Sequence, residues 1–179
     1  MHTIQIRDAR PSDREAIEAV TLLAYQEYSL LMPNHWDAYR ESIVATLADV
    51  RPAQQIVAEQ QDRIIATVLL YPVGLGVTAA AETPDTAPEV RLLAVHPEAR
   101  GSGVGAALMN ECIRRARQSG ATALHLHTSD VMRAGIRLYE RMGFHRAADL
   151  DFQLGPELRI KGYRLGLVGT SAGQVTKEG

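Results

Sequence analysis

Apolar and polar residues alternate at period two in Thr3-Ile4-Gln5-Ile6-Arg7, and the run stops at Pro11-Ser12-Asp13. That pattern predicts a strand leading into a helix. Ser12 and Glu15 have the S-x-x-E spacing of a capping box, in which each side chain satisfies a free backbone donor of the first turn. The helix is expected to run to about Tyr28 on a stripe of Ala16, Val20, Leu23 and Ala24. Pro33-Asn34 breaks the chain, and residues 36–47 form a second helical pattern carrying Ile43, Val44 and Leu47. Strand-like runs at 54–59 and 63–71 flank Gln60-Gln61-Asp62 and read as a hairpin. Small residues and prolines make 78–88 a loop. A central apolar strand at 89–95 follows, then a helix at 104–118 ended by Gly120, and a strand at 123–127. A short helix at 131–142 has Gly143 as its C-cap. The chain beyond Phe144 is less regular until a last alternating strand at 159–168.

The order β-α-α-β-β-β-α-β-α-β-β implies an α/β fold of the α+β type. A mixed, mostly antiparallel twisted sheet of about seven strands is flanked by about four helices. Residues 1–168 are expected to form a single domain, with 169–179 as a flexible tail.

Composition narrows the function. With 46% hydrophobic and 22% charged residues the chain is of the ordinary globular kind. A net charge of −2 and a pI near 6.3 leave no cationic excess for a phosphate backbone, so no nucleic acid partner is expected. Residues 64–76 fall short of the roughly 20 apolar residues that cross a bilayer, and the N-terminus lacks an apolar signal core. The lone Cys112 forms no internal disulfide, which points to the cytoplasm. His125 and His127 share a strand face but lack a third ligand, so no metal is expected.

The most informative stretch joins a strand, a short turn, a glycine-rich loop and a helix start in immediate succession: Val90-Arg91-Leu92-Leu93-Ala94-Val95-His96-Pro97-Glu98-Ala99-Arg100-Gly101-Ser102-Gly103-Val104-Gly105-Ala106. Alternate glycines let backbone N–H groups converge, and the helix adds free donors and the positive end of its dipole. The product is a site for a phosphate or diphosphate. The same residues also fit the G-x-G-x-x-A fingerprint of an NAD(P)-binding oxidoreductase. However, five residues intervene between strand and first glycine, and hairpin strands replace βαβ units around it. No G-K-[ST] follows, which excludes a P-loop.

The R-G-x-G-x-G/A motif after a strand ending in Val95-His96-Pro97 resembles the acetyl-CoA signature of GNAT-type N-acetyltransferases. Leu138-Tyr139-Glu140-Arg141-Met142-Gly143-Phe144 is similar to the L-Y-E-x-x-G-F segment of the same family. The asparagine often found seven residues before that tyrosine is Met132 here. The resemblance implies a GNAT-like fold and direct acetyl transfer from acetyl-CoA to a primary amine of a small molecule, peptide or protein. It further implies that Leu93, Ala94 and Val95 pair with the pantetheine arm, and that the Val95 N–H serves as oxyanion donor. Arg100, Gly101, Ser102, Gly103, Val104, Gly105 and Ala106 would then hold the diphosphate. Tyr139 would contact the cofactor and protonate the departing sulfur. Glu89, at the start of the central strand, matches the glutamate that some members use as a base. Tyr28 and Trp36, at the junction of the first two helices, are expected to wall the acceptor pocket. A non-catalytic acyl-CoA-binding module is the alternative, and a homodimer through sheet edges or the C-terminal strands is also compatible.

Overall fold

The structure is a computed structural model, and it describes residues 3–75, 87–154 and 158–167. Most of the loop expected at 78–88 and all of the tail expected at 169–179 lie outside the described residues.

The elements run β1 (Gln5–Asp8), α1 (Arg14–Tyr25), α2 (Tyr28–Leu31), α3 (Pro33–Ala48), β2 (Gln54–Gln60), β3 (Arg63–Tyr71) and β4 (Glu89–Val95). They continue with α4 (Val104–Gln118), β5 (Ala123–Thr128), α5 (Arg133–Arg141), β6 (His145–Arg146), β7 (Phe152–Leu154) and β8 (Leu158–Gly166). The described strands form an eight-stranded sheet in the order β1-β2-β3-β4-β5-β8-β6, with β7 also pairing β8. Every pairing is antiparallel except β4 with β5. The sheet has one strand more than expected, because β6 and β7 are only two and three residues long and too short to show a period.

The start of α1 departs from the expected capping box. Pro11 opens a 3-10 turn over Pro11–Asp13, and Asp13 rather than Ser12 takes the capping position. Its carboxylate accepts the Arg10 N–H at 2.7 Å and a two-pronged contact from Arg7, which also reaches Glu59 on β2. The first helix is thereby tied to the β1–β2 edge. The single helix expected to reach Tyr28 is divided, ending at Tyr25 and resuming as α2.

The sheet has two covered faces. On one, the α4 stripe of Leu108, Met109, Cys112, Ile113 and Ala116 packs on Ile56, Val68, Val90, Leu124 and Leu126. Each of the Leu, Ile, Val and Met side chains contributes about 1.5–3 kcal/mol by leaving water. On the other, Ala24 and Tyr25 of α1 and Ile43 of α3 meet Leu92 and Ala94 of β4. Among the described residues no helix is long and apolar enough to cross a membrane.

Gly162 on β8 faces the turn at Ala148–Leu150, where an added Cβ would lie 2.3 Å from the Leu150 Cβ and 2.9 Å from the Ala147 carbonyl. Gly162→Ala is therefore expected to destabilise the fold by about 1–3 kcal/mol. Denaturant melts check this, with Gly166→Ala as the neutral control because nothing lies within 4 Å of its Cβ position. Equal stability of the two variants would contradict the packing described.

Candidate active site

Two adjacent strands that separate make the site. β4 and β5 pair in parallel only at Glu89↔His125 and Val90↔Leu126. Beyond these residues both strands continue without bonding to each other. The separation coincides with a bulge in β4, where Arg91 pairs with Leu69 and Ala94 with Thr67, so β4 advances three residues while β3 advances two. Leu92 carries the bulge in a left-handed conformation with φ 49°, a strained state for a branched residue.

The bulge shifts which residues face which side. Val90, Leu93 and Val95 belong to the core on the α4 side, whereas Leu92 and Ala94 pack with α1 and α3. It also orients the backbone. The His96 N–H bonds the Ile65 carbonyl of β3 at 2.8 Å, and antiparallel alternation turns the polar groups of Leu93 and Val95 the other way, into the opening toward β5. The Tyr25 hydroxyl reaches across from α1 and donates to the Leu93 carbonyl at 3.2 Å. The Leu93 and Val95 N–H groups thus face a gap in the sheet.

The glycine loop lies at the end of that gap. A 3-10 turn at Pro97–Ala99 follows β4, and Gly101 and Gly103 take left-handed φ of 78° and 85°. Gly103 is the N-cap of α4 and supplies no side chain, so the first-turn N–H groups remain available. A Cβ placed at Gly101 or Gly103 would meet nothing within 4 Å, so their absent side chains serve backbone conformation. Arg100 is turned back onto the first helix, donating to the Ala24 carbonyl at 2.9 Å and to Glu27 at 3.0 Å.

Gap, loop and the ends of α1, α3 and α5 enclose a cavity of about 880 Å³. Of the residues expected at the site, Glu89, Leu93, Val95, Arg100, Gly101, Gly103, Val104, Gly105, Ala106, Tyr139 and Tyr28 line it. Ala94, Ser102 and Trp36 do not. Ala94 is buried under α1, and the Ser102 hydroxyl folds back onto the Ala99 carbonyl at 2.6 Å. Trp36, expected to wall the acceptor pocket, borders a separate depression with Leu22, Leu23 and Arg40. It sits on a face of α3 turned away from the opening. Met132, at the position where an asparagine was expected, lines the cavity instead.

Glu89 is buried at 1% exposure, and its Oε1 lies 3.0 Å from the His127 Nδ1. The His127 Nε2 is 2.9 Å from the Leu150 carbonyl, which only accepts, so that nitrogen donates. One further proton then sits between Nδ1 and the carboxylate. The other face-sharing histidine, His125, receives the Arg164 Nε–H at 3.0 Å on its Nε2. Tyr139 is packed against Gly135 and stands edge-on to Phe144 at 6.0 Å. Burial pushes its hydroxyl well above the ordinary tyrosine range, with smaller contributions from Tyr28 and Cys112, so it stays protonated. Thr128 and Ser129 line the cavity, and their hydroxyls, buried behind its surface, have no hydrogen-bond partner among the described residues. Sequence reading passed over His127, Thr128, Ser129 and Arg91 as site residues. The available signal was that residues 89 and 91, like 125 and 127, fall on one face of adjoining strands.

A mixed sheet opened between two neighbouring parallel strands, with a glycine loop and a helix start at the opening, defines the class of architecture. The family model of the acetyltransferase (GNAT) family matches residues 21–144, more than half of the chain, and the chain belongs to that family. Curated relatives include mycothiol acetyltransferases. That of Thermomonospora curvata is 36% identical over 74 residues, covering 41% of this chain and 25% of its own length. That of Cellulomonas flavigena is 30% identical over 110 residues, covering 59% and 30%. The chain thus spans less than a third of the length of these relatives. Among solved structures, a GNAT family acetyltransferase from Staphylococcus aureus Mu50 superposes with a TM-score of 0.68 at 16% identity, covering 93% of this chain and 100% of that one. A GNAT family acetyltransferase from Brucella melitensis in complex with acetyl-CoA gives 0.60 at 21% identity, covering 94% and 91%. These two likenesses show the fold.

The turn that supplies the Leu150 carbonyl is pinned by Asp151. Burial raises this carboxyl, but the Arg146, Gly162 N–H and Arg159 contacts outweigh it and hold it at about 2. A carboxyl lowered on folding stabilises the protein above its ordinary pKa and loses that contribution as pH falls toward 2. Asp151→Asn is accordingly expected to lower stability at pH 7 by about 1–2 kcal/mol, and to flatten the loss of stability between about pH 4 and pH 2. An unchanged acid profile in urea melts would remove Asp151 as the pin.

Proposed function

We propose that this chain transfers the acetyl group of acetyl-CoA directly to a primary amine. The observation that carries the reading is the gap between β4 and β5, with two backbone N–H groups of β4 facing it and the glycine loop at its end. The fit is chemical as well as steric. The N–H groups of Leu93 and Val95 match the carbonyls of a pantetheine arm, and the N–H groups of the glycine loop and the first turn of α4 match a diphosphate.

When bound, acetyl-CoA supplies an acetyl group activated as a thioester. The Val95 N–H is the oxyanion donor, fixed in direction by the pairing of β4 with β3. Glu89, oriented by His127 and lying about 17–20 Å along β4 from Val95, takes the proton from the incoming amine through a chain of waters in the cavity. Tyr139, kept neutral by burial, holds a proton for the departing sulfur. The acceptor enters from the side lined by Tyr28, Tyr39 and the β7–β8 strands. A cytoplasmic setting suits a chain whose lone cysteine is a buried free thiol. That thiol is inert, since burial pushes Cys112 up to about 12.

Binding is checked by thermal shift. CoA and acetyl-CoA are expected to raise the melting temperature, and NAD(H) to leave it unmoved. Stabilisation by NAD(H) alone would overturn the proposal. Thiol release with a mixed amine pool then separates an enzyme from an acyl-CoA-binding module, which would be stabilised yet release none. Once an acceptor is in hand, Tyr139→Phe and Glu89→Gln are each expected to lower kcat about 10²-fold or more while binding acetyl-CoA. Unchanged turnover across pH in either variant would remove that residue from the chemistry.

A further inference from the structure

Resting on this reading of the cavity, we infer that the acceptor is a free amino acid with an apolar side chain, its carboxylate held by Arg91. Arg91 lines the cavity from β4 and is half-buried, with its guanidinium 5.4 Å from the centre of the Tyr71 ring. Among the described residues no carboxylate pairs with it and its guanidinium donates no hydrogen bond. Of the other arginines that line the cavity, Arg100 is engaged with Glu27, and Arg137 and Arg141 on α5 are exposed, so that among the described residues Arg91 is the half-buried one without a counter-charge. A guanidinium withdrawn from water without a counter-charge is costly, and its planar fork suits the two oxygens of a carboxylate.

Placement narrows the ligand further. Glu89 and Arg91 are two residues apart on β4, hence on one face and about 6–7 Å apart along the strand. An α- or β-amino acid bridges that span, with its amine toward Glu89 and its carboxylate on Arg91. Facing them, Phe152 and Leu154 of β7 and Leu158 and Ile160 of β8 bring an apolar wall to the same cavity, and Leu154 is 51% exposed. The wall matches an apolar side chain. A polycationic acceptor is opposed by the same geometry. Arg91 repels it, and Glu27, the other carboxylate among the described lining residues besides Glu89, is already paired with Arg100.

The test is thiol release from acetyl-CoA with free leucine, methionine and phenylalanine, each against its carboxamide, and with putrescine and a lysine peptide. The expected result is a kcat/KM for at least one free amino acid more than tenfold above that of its carboxamide. Arg91→Gln is expected to bring that ratio close to one by raising KM for the amino acid, and Arg91→Lys to keep part of it. Three results would overturn the inference: carboxamides used as well as the free acids, turnover of putrescine or the peptide alone, or no turnover of any free amino acid while acetyl-CoA still raises the melting temperature. Failure of acetyl-CoA to bind would overturn the acetyltransferase reading itself, and the inference with it.

Discussion

A strand inside a sheet has to satisfy hydrogen-bonding groups on both of its edges, and β4 satisfies only one along most of its length. Its pairing to β3 is kept through the bulge at Leu92, while its other edge parts from β5 after Val90. Buried backbone groups left in this way demand a partner, and the rest of the molecule is arranged around that demand. α4 and its hydrophobic stripe hold the sheet from one side so that the opening does not close. On the other side, Tyr25 supplies one bond to the Leu93 carbonyl and, with Tyr28 and Tyr39 in edge contact, forms an aromatic wall beside the gap.

The same opening brings chemistry together. Glu89 and His127 stand where β4 and β5 are still close, just before they diverge, so a buried carboxylate and an imidazole meet at the base of the gap. The imidazole is held from behind by the Leu150 carbonyl. That turn is in turn fixed against Gly162 of β8 and by the Asp151 contacts to Arg146 and the Gly162 N–H. A continuous set of contacts therefore runs from the surface arginines of the C-terminal strands to a carboxylate inside the cavity. Arg100 plays a comparable part at the opposite end, where it ties the glycine loop to the end of α1.

Much of this arrangement is legible in the sequence where local signals are strong. Gly103 and Gly120 bracket α4, and the residues between them predict its bounds as observed. Gln61 and Asp62, both with positive φ, turn the β2–β3 hairpin where three polar residues interrupt two apolar runs. The misreadings come from non-local causes. Ser12 and Asp13 are both good caps, and the choice of Asp13 is made by Arg7 on a neighbouring strand. Trp36 lies on the right helix, but the direction of its side chain is set by how α3 rotates against α1. The burial of Glu89 leaves no local signal, because its partner, His127, is 38 residues away. The bulge at Leu92 leaves no pattern at all, since every residue around it is compatible with a regular strand.

In the proposed mode of action the β4 edge facing β5 is open in the free protein and is filled by acetyl-CoA. Amide hydrogen exchange resolved by NMR tests it at single residues, with His96, whose N–H bonds Ile65 on β3, as the internal reference. The Leu93 and Val95 amides are expected to exchange faster than His96 in the free protein and to become protected on addition of acetyl-CoA. Protection of both amides before any ligand is added, or exchange unchanged by saturating acetyl-CoA, would contradict the account.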